Sequence, residues 1–179
     1  MKKVFVVIAI SSLLLGISCT KKVNLKEEIA QLEKELYDTT NKKVDEKTAL
    51  LLVDKYVAYA DENKEDTLSP IYLFKGGEIC MNIKRGEKAI ELFTRVMEDY
   101  PNYNKLAETL FLLAFTYENV QNNIALAKEK YEQFLFKYPN HELVEQVELS
   151  LKHLGKTPEE IVEEFEANLA NENEVVAEK

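Results

Sequence analysis

Tryptophan is absent, and the 179 residues hold only two cysteines, two histidines, five glycines and four prolines. Each scarcity closes a class of explanation. Two cysteines cannot build a disulfide scaffold. Neither His141 nor His153 has a second His or a Cys at ligand spacing, which argues against a zinc site. No glycine-rich loop is present to cradle a phosphate; Gly76 and Gly77 fall inside a helical pattern, where close packing explains them better. Lys and Arg are outnumbered by Asp and Glu, 23 to 32, for a net charge of −9. Nucleic-acid phosphates need a basic face, so no nucleic-acid partner is expected. The longest apolar run, Val4 to Leu15, is too short to span a bilayer comfortably.

Catalytic groups are equally thin. No Ser/His/Asp or Cys/His arrangement can be assembled. The pairs Glu159-Glu160 and Glu163-Glu164 read as solvated helix faces, and Cys80, at an apolar position, reads as an inert core thiol. The expectation is a non-enzyme with no cofactor and no metal.

What the chain does have is a duplication. Pro70 to Asn102 reads PIYLFKGGEICMNIKRGEKAIELFTRVMEDYPN, and Ala107 to Asn140 reads AETLFLLAFTYENVQNNIALAKEKYEQFLFKYPN. Tyr100-Pro101-Asn102 recurs 38 residues later as Tyr138-Pro139-Asn140, with Ala89 answered by Ala127 and Phe93 by Tyr131. A period of this length marks stacked supersecondary units that bury their apolar faces against their neighbours. Small residues at Gly77 and Ala114 let two helices of a unit approach, as do Ala89 and Ala127 on the partner helix. Proline then stops the second helix.

The spacing Leu73-x2-Gly76-Gly77-x2-Cys80, Ala89-x3-Phe93, Pro101, repeated as Leu110-x2-Leu113-Ala114-x2-Tyr117, Ala127-x3-Tyr131, Pro139, resembles the tetratricopeptide repeat. Leu replaces the leading Trp in both copies, Cys80 replaces Tyr in the first, and one extra residue sits in the Asn122-Asn123 turn. The resemblance implies an all-α superhelix of helical hairpins, with two clear repeats, a degenerate first one and C-terminal capping helices.

In chain order, residues 1–18 read as a targeting leader: basic Lys2-Lys3, an apolar stretch, then small Gly16 and Ser18. Followed by Cys19, this resembles a bacterial lipoprotein signal, although Gly16 stands where that motif has Leu. The likeness implies lipid on Cys19; an ordinary secretory signal is the alternative. Thr20-Lys21-Lys22 carries no acid beside the cysteine, so the anchor is expected on the periplasmic face of the outer membrane. Residues 19–46 form an anchored segment whose helix, 23–38, steps apolar residues through Leu25, Ile29, Leu32 and Leu36. That seam either oligomerises the protein as a short coiled coil or packs as the first helix of a degenerate repeat.

The array is expected over 47–155. Its helices are expected near 47–63, 70–84, 87–99 and 106–139 in two parts. Gly86 would terminate the first helix of the first clear copy with left-handed backbone, and Asn140 would cap a helix over His141 to His153. Gly155 ends that helix. Thr157-Pro158-Glu159-Glu160 opens the last, 156–170, with a capping box. Residues 171–179 are expected to be a disordered tail.

In tetratricopeptide proteins the first helix of each repeat lines a groove that holds a partner peptide or helix. By the resemblance, the groove here carries Ile71, Phe74, Phe111 and Phe115, edged by Glu78, Glu108 and Glu118. An apolar, acid-rimmed groove suits a protein segment with apolar and basic residues; the chain's own first or last helix could equally fill it. Anchor, short helix and repeats together look similar to two groups of bacterial envelope proteins. These are the periplasmic coordinator of the Tol–Pal system and the repeat lipoprotein of the outer-membrane β-barrel assembly machine. They imply a lipid-anchored binding scaffold in envelope assembly or maintenance. The alternative is a self-associating structural protein joined through its N-terminal helix.

Overall fold

The computed structural model describes residues 24–37 and 45–177, with side chains as far as residue 167. The expected leader, Cys19 and most of the 39–46 break lie outside the described residues. Among those described, the chain is helical throughout and holds no strand. Eight helices follow in order: α1 Leu25–Tyr37, α2 Glu46–Glu62, α3 Leu68–Asn82, α4 Gly86–Asp99, α5 Leu106–Asn119, α6 Ile124–Lys137, α7 Val144–His153 and α8 Pro158–Ala177. Neighbours in sequence pack as neighbours in space, α1 on α2, α2 on α3 and so on to α7. The architecture is an α-α superhelix of hairpins.

The helix ends show why the units look alike. Tyr100 and Tyr138 close α4 and α6 with φ of −129° and −130°, their N–H groups donating to the carbonyls of Val96 and Phe134. Asn63 closes α2 at φ −132°, its N–H on Tyr59 O. The first hairpin therefore ends as the other two do, without their proline. Starts are fixed by side chains. Asp45 accepts from Thr48 N at 3.0 Å, and Asn123 from Leu126 N at 3.1 Å. The capping box is reciprocal, with Thr157 N donating to Glu160 Oε2 at 2.7 Å and Glu160 N to Thr157 Oγ1 at 3.2 Å.

Gly86 does not take the left-handed backbone expected of it. Lys84 does, at φ 60°, and its counterpart Asn122 does at φ 50°. Gly86 is instead the first residue of α4, where a Cβ would lie 2.8 Å from Val120 Cγ1 and against Gln121 of the following turn. Glycine is required there by a neighbour and not by φ. The extra residue of the second copy is absorbed in this turn: Arg85 N donates to Cys80 O, whereas Asn123 N reaches one residue further back, to Tyr117 O, both at 2.7 Å.

Two further boundaries move. Asn140 caps nothing; α7 begins at Val144, because residues 138–143 form a turn in which His141 N donates to Tyr138 O and Leu143 N to His141 Nδ1. The last helix does not stop at 170 but continues to Ala177. After Pro158 the sequence contains no glycine or proline to end it. Gly155, at φ 77°, ends α7 as expected.

The interior falls into two clusters. One joins α1 to α4 and takes Leu113 from α5; the other joins α5, α6 and α7 around Leu110, Tyr131, Phe134 and Val147. Met97 and Tyr117 touch both. The seam on α1 is consumed within the chain: Ile29 and Leu36 are buried, and Leu25 and Leu32 pack against the first cluster. A coiled coil through these residues would need α1 to leave, so the packing reading replaces the oligomerising one.

Candidate functional site

Along one side of the array, α3 and α5 lie against each other and α1 reaches α3 through side chains. The charges there alternate. Glu33 Oε1 of α1 accepts from Lys75 Nζ of α3 at 2.8 Å and from the Tyr56 hydroxyl of α2 at 2.6 Å. Glu78 lies within the field of Lys75 and Lys105. Lys105 Nζ stands 5.2 Å above the Phe74 ring. Next comes Glu108, whose Oε2 is buried without a hydrogen bond and 4.0 Å from His141 Nε2. The glutamates expected to edge the groove are thus interleaved with lysines at the α1–α3 end. Lys75, Lys105 and Glu33 escaped the sequence reading because their meeting depends on the register between hairpins.

The expected groove residues separate into two groups. Phe74 is not in a groove. It is 5% exposed, edge-on to Phe93 at 6.0 Å and beside Tyr103 at 6.1 Å. Ile71 is half-buried and opens elsewhere, into a cleft of about 730 Å³ between the α2–α3 and α4–α5 connections. Pro70, Tyr100 and Tyr103 also line that cleft, and Arg95 closes one wall through ion pairs to Asp61 and Asp99. One repeat on, Phe111 is half-buried between Phe115 and Tyr131, with centroids 6.4 and 6.1 Å away. Phe115 is exposed at 37%. Glu118, half-buried, accepts from the Tyr131 hydroxyl at 2.7 Å.

The difference between the copies has a local cause. Tyr103 covers Phe74. Its counterpart, His141, turns away and packs on Phe134 at 5.7 Å and Tyr138 at 6.4 Å. With that lid withdrawn, and with α7 starting only at Val144, the Phe111 ring stays partly open. Phe115 occupies the place held in the earlier copy by Glu78, so an exposed ring replaces a carboxylate.

Electrostatics follow the packing. Burial pushes the Glu78 carboxyl above its usual range, and Lys105 and Lys75 offset this only in part. A carboxyl raised by folding is most favourable below its unfolded pKa and costs stability as pH rises through the folded one. Glu78→Gln is therefore expected to raise Tm at pH 7, with the gain disappearing below about pH 4; thermal melts across that interval check it. Burial likewise pushes the Cys80 thiol up to about 11, which keeps it protonated and unreactive at neutral pH.

A family model for the tetratricopeptide repeat matches residues 108–141. This chain contains a tetratricopeptide repeat. The matched stretch covers α5 from Glu108, all of α6 and the turn to His141, and so includes Phe111, Phe115 and Glu118. Hairpins of this repeat typically form non-catalytic scaffolds that bind other proteins. No curated protein matches the chain. Among the described residues, no group of three or more His, Cys, Asp and Glu is placed to hold a metal ion, and no helix is long and apolar enough to cross a membrane.

Proposed function

We propose that the protein is a lipid-anchored adaptor of a bacterial cell envelope, tethered through Cys19 at the periplasmic face of the outer membrane. The side of the array bearing Phe111 and Phe115 captures a segment of another protein there. The matched repeat supports a protein–protein interaction scaffold. The observation that carries the choice of surface is the exposed Phe115 ring beside half-buried Phe111, inside the matched repeat. Paired rings with one open face, flanked by Glu108 and Glu118, suit an apolar side chain with a basic neighbour. The leader and the cysteine that follows it support the anchor.

In-cell crosslinking with fractionation tests both halves. Phe115→Glu places a charge on the docking ring without touching the buried core. It is expected to lose the crosslinked partner while far-UV circular dichroism stays unchanged. Cys19→Ala is expected to release the protein from membranes. Undiminished crosslinking of Phe115→Glu rejects the surface, and firm membrane attachment of Cys19→Ala rejects the lipid.

A further inference from the structure

The C-terminal end of the array carries a second surface that the tetratricopeptide face does not include. After the Gly155 turn, α8 meets α7 without packing closely along it, and a cleft of about 530 Å³ opens between them, lined by Leu149, His153, Ile161, Val162 and Phe165. Leu149, Val162 and Phe165 are 51%, 55% and 62% exposed. Three large apolar side chains left this open on adjoining helices form an uncovered stripe and not scattered surface residues. The cleft wall also holds His153, whose Nδ1 is buried without a hydrogen-bond partner.

Charge decides what fits. Residues 158–177 contain seven glutamates and no Lys, Arg or His. The nearby cations, Lys152 and Lys156, are both engaged by Glu164, at 3.8 and 2.6 Å. A second copy laid along the stripe would set carboxylates against carboxylates, and an anionic lipid surface would be repelled in the same way. The complementary occupant has an apolar face and Lys or Arg along its flanks.

We propose that the α7–α8 cleft docks a basic amphipathic helix of a partner protein, the apolar face of that helix resting on Leu149, Val162 and Phe165 and its basic flanks meeting the glutamates of α8. The mode is a helix laid in a groove, read by residues one turn apart. Salt weakens it, because the flanking pairs are exposed.

The test uses the full chain and a fluorescently labelled Leu/Lys amphipathic peptide of about four helical turns, followed by anisotropy. The peptide is expected to bind, and Val162→Ser/Phe165→Ser to weaken binding at least tenfold. Both side chains are exposed, so helicity is expected to persist by circular dichroism. All arms carry Phe115→Ser, which removes the α5 face as a competing site for the same peptide and leaves the cleft intact. Three results overturn the proposal: no binding by Phe115→Ser alone, equal binding with and without the added Val162→Ser/Phe165→Ser, or equal binding of a scrambled isomer of the peptide. Sedimentation showing a dimer of the parent that the double variant abolishes assigns the stripe to a second copy and overturns it as well.

Discussion

Gly77→Ala is expected to destabilise the protein by on the order of 2 kcal/mol, lowering Tm by roughly 4–8 °C. A Cβ at position 77 would lie 2.5–2.8 Å from three carbons of the Phe93 ring. The ring has nowhere to retreat: Phe93 is fully buried, with Phe74 edge-on to it. A methyl in such a place forces a side chain off its rotamer or pushes α3 from α4. The later copy carries Ala114 at the matching place and keeps it fully buried with Tyr131. The hairpin thus tolerates a methyl when the facing ring is set for one. Phe93→Leu removes the ring edge that collides, so Gly77→Ala/Phe93→Leu is expected to cost less than the sum of the single changes. Thermal melts of the four proteins in that cycle measure the coupling. Strict additivity would mean that the glycine answers to backbone freedom and not to contact.

This pair also shows which part of the fold could be read from the sequence. Gly77, Ala89, Phe93 and Pro101 meet steric demands inside one hairpin, so their spacing in the chain carries the information. The same holds for the Thr157 to Glu160 capping box and for Gly155. Phe74 is different. Its neighbours Leu73 and Gly77 already claim the inward face, and a helix flanked by only one partner would leave residue 74 outside. α3 packs on both α2 and α4 and meets α5 as well, so its inward arc widens until Leu73, Phe74, Gly76, Gly77, Ile79 and Cys80 are all buried. Tyr103 from the next connection completes the cover. That width is set by contacts between hairpins, which a period cannot express. Phe115 stays exposed because its helix is less covered on that side. The Glu33–Lys75 link was not legible, because residues 42 positions apart in sequence meet only through the register of three helices.

Tyr56→Ala is expected to cost about 3–5 kcal/mol, with the loss concentrated at the N-terminal end of the array. Tyr56 is fully buried, its ring stacked on Tyr72 at 4.9 Å, and its hydroxyl donates to Glu33 across the α1–α2 boundary. Burial, and next the Glu33 carboxylate it bonds, hold that hydroxyl's pKa far above the usual tyrosine range, so it stays a donor at any ordinary pH. Beyond its packing, α1 is tied to the array by the Lys55–Glu28 pair, by Lys26, which pairs with Asp66 at 3.6 Å and stands 5.3 Å over the Tyr59 ring, and by Lys75 on Glu33. In a stacked array each unit depends mainly on its neighbours, so damage stays local. Hydrogen exchange is expected to show α1 and α2 losing protection while α6 and α7, which belong wholly to the other core cluster, keep theirs. Uniform loss would mean that the two clusters unfold as one. Tyr56→Phe isolates the polar part. Burial pushes Glu33 up, but the hydrogen bonds from Lys75 and Tyr56 outweigh it and hold the carboxyl below its usual range. A carboxyl lowered by folding contributes stability that is present above its unfolded pKa and lost as pH falls through the folded one. Removing the hydroxyl takes away one cause of the lowering. Tyr56→Phe is therefore expected to be less stable than the parent at pH 7, and the gap is expected to narrow as the solution is taken below about pH 4.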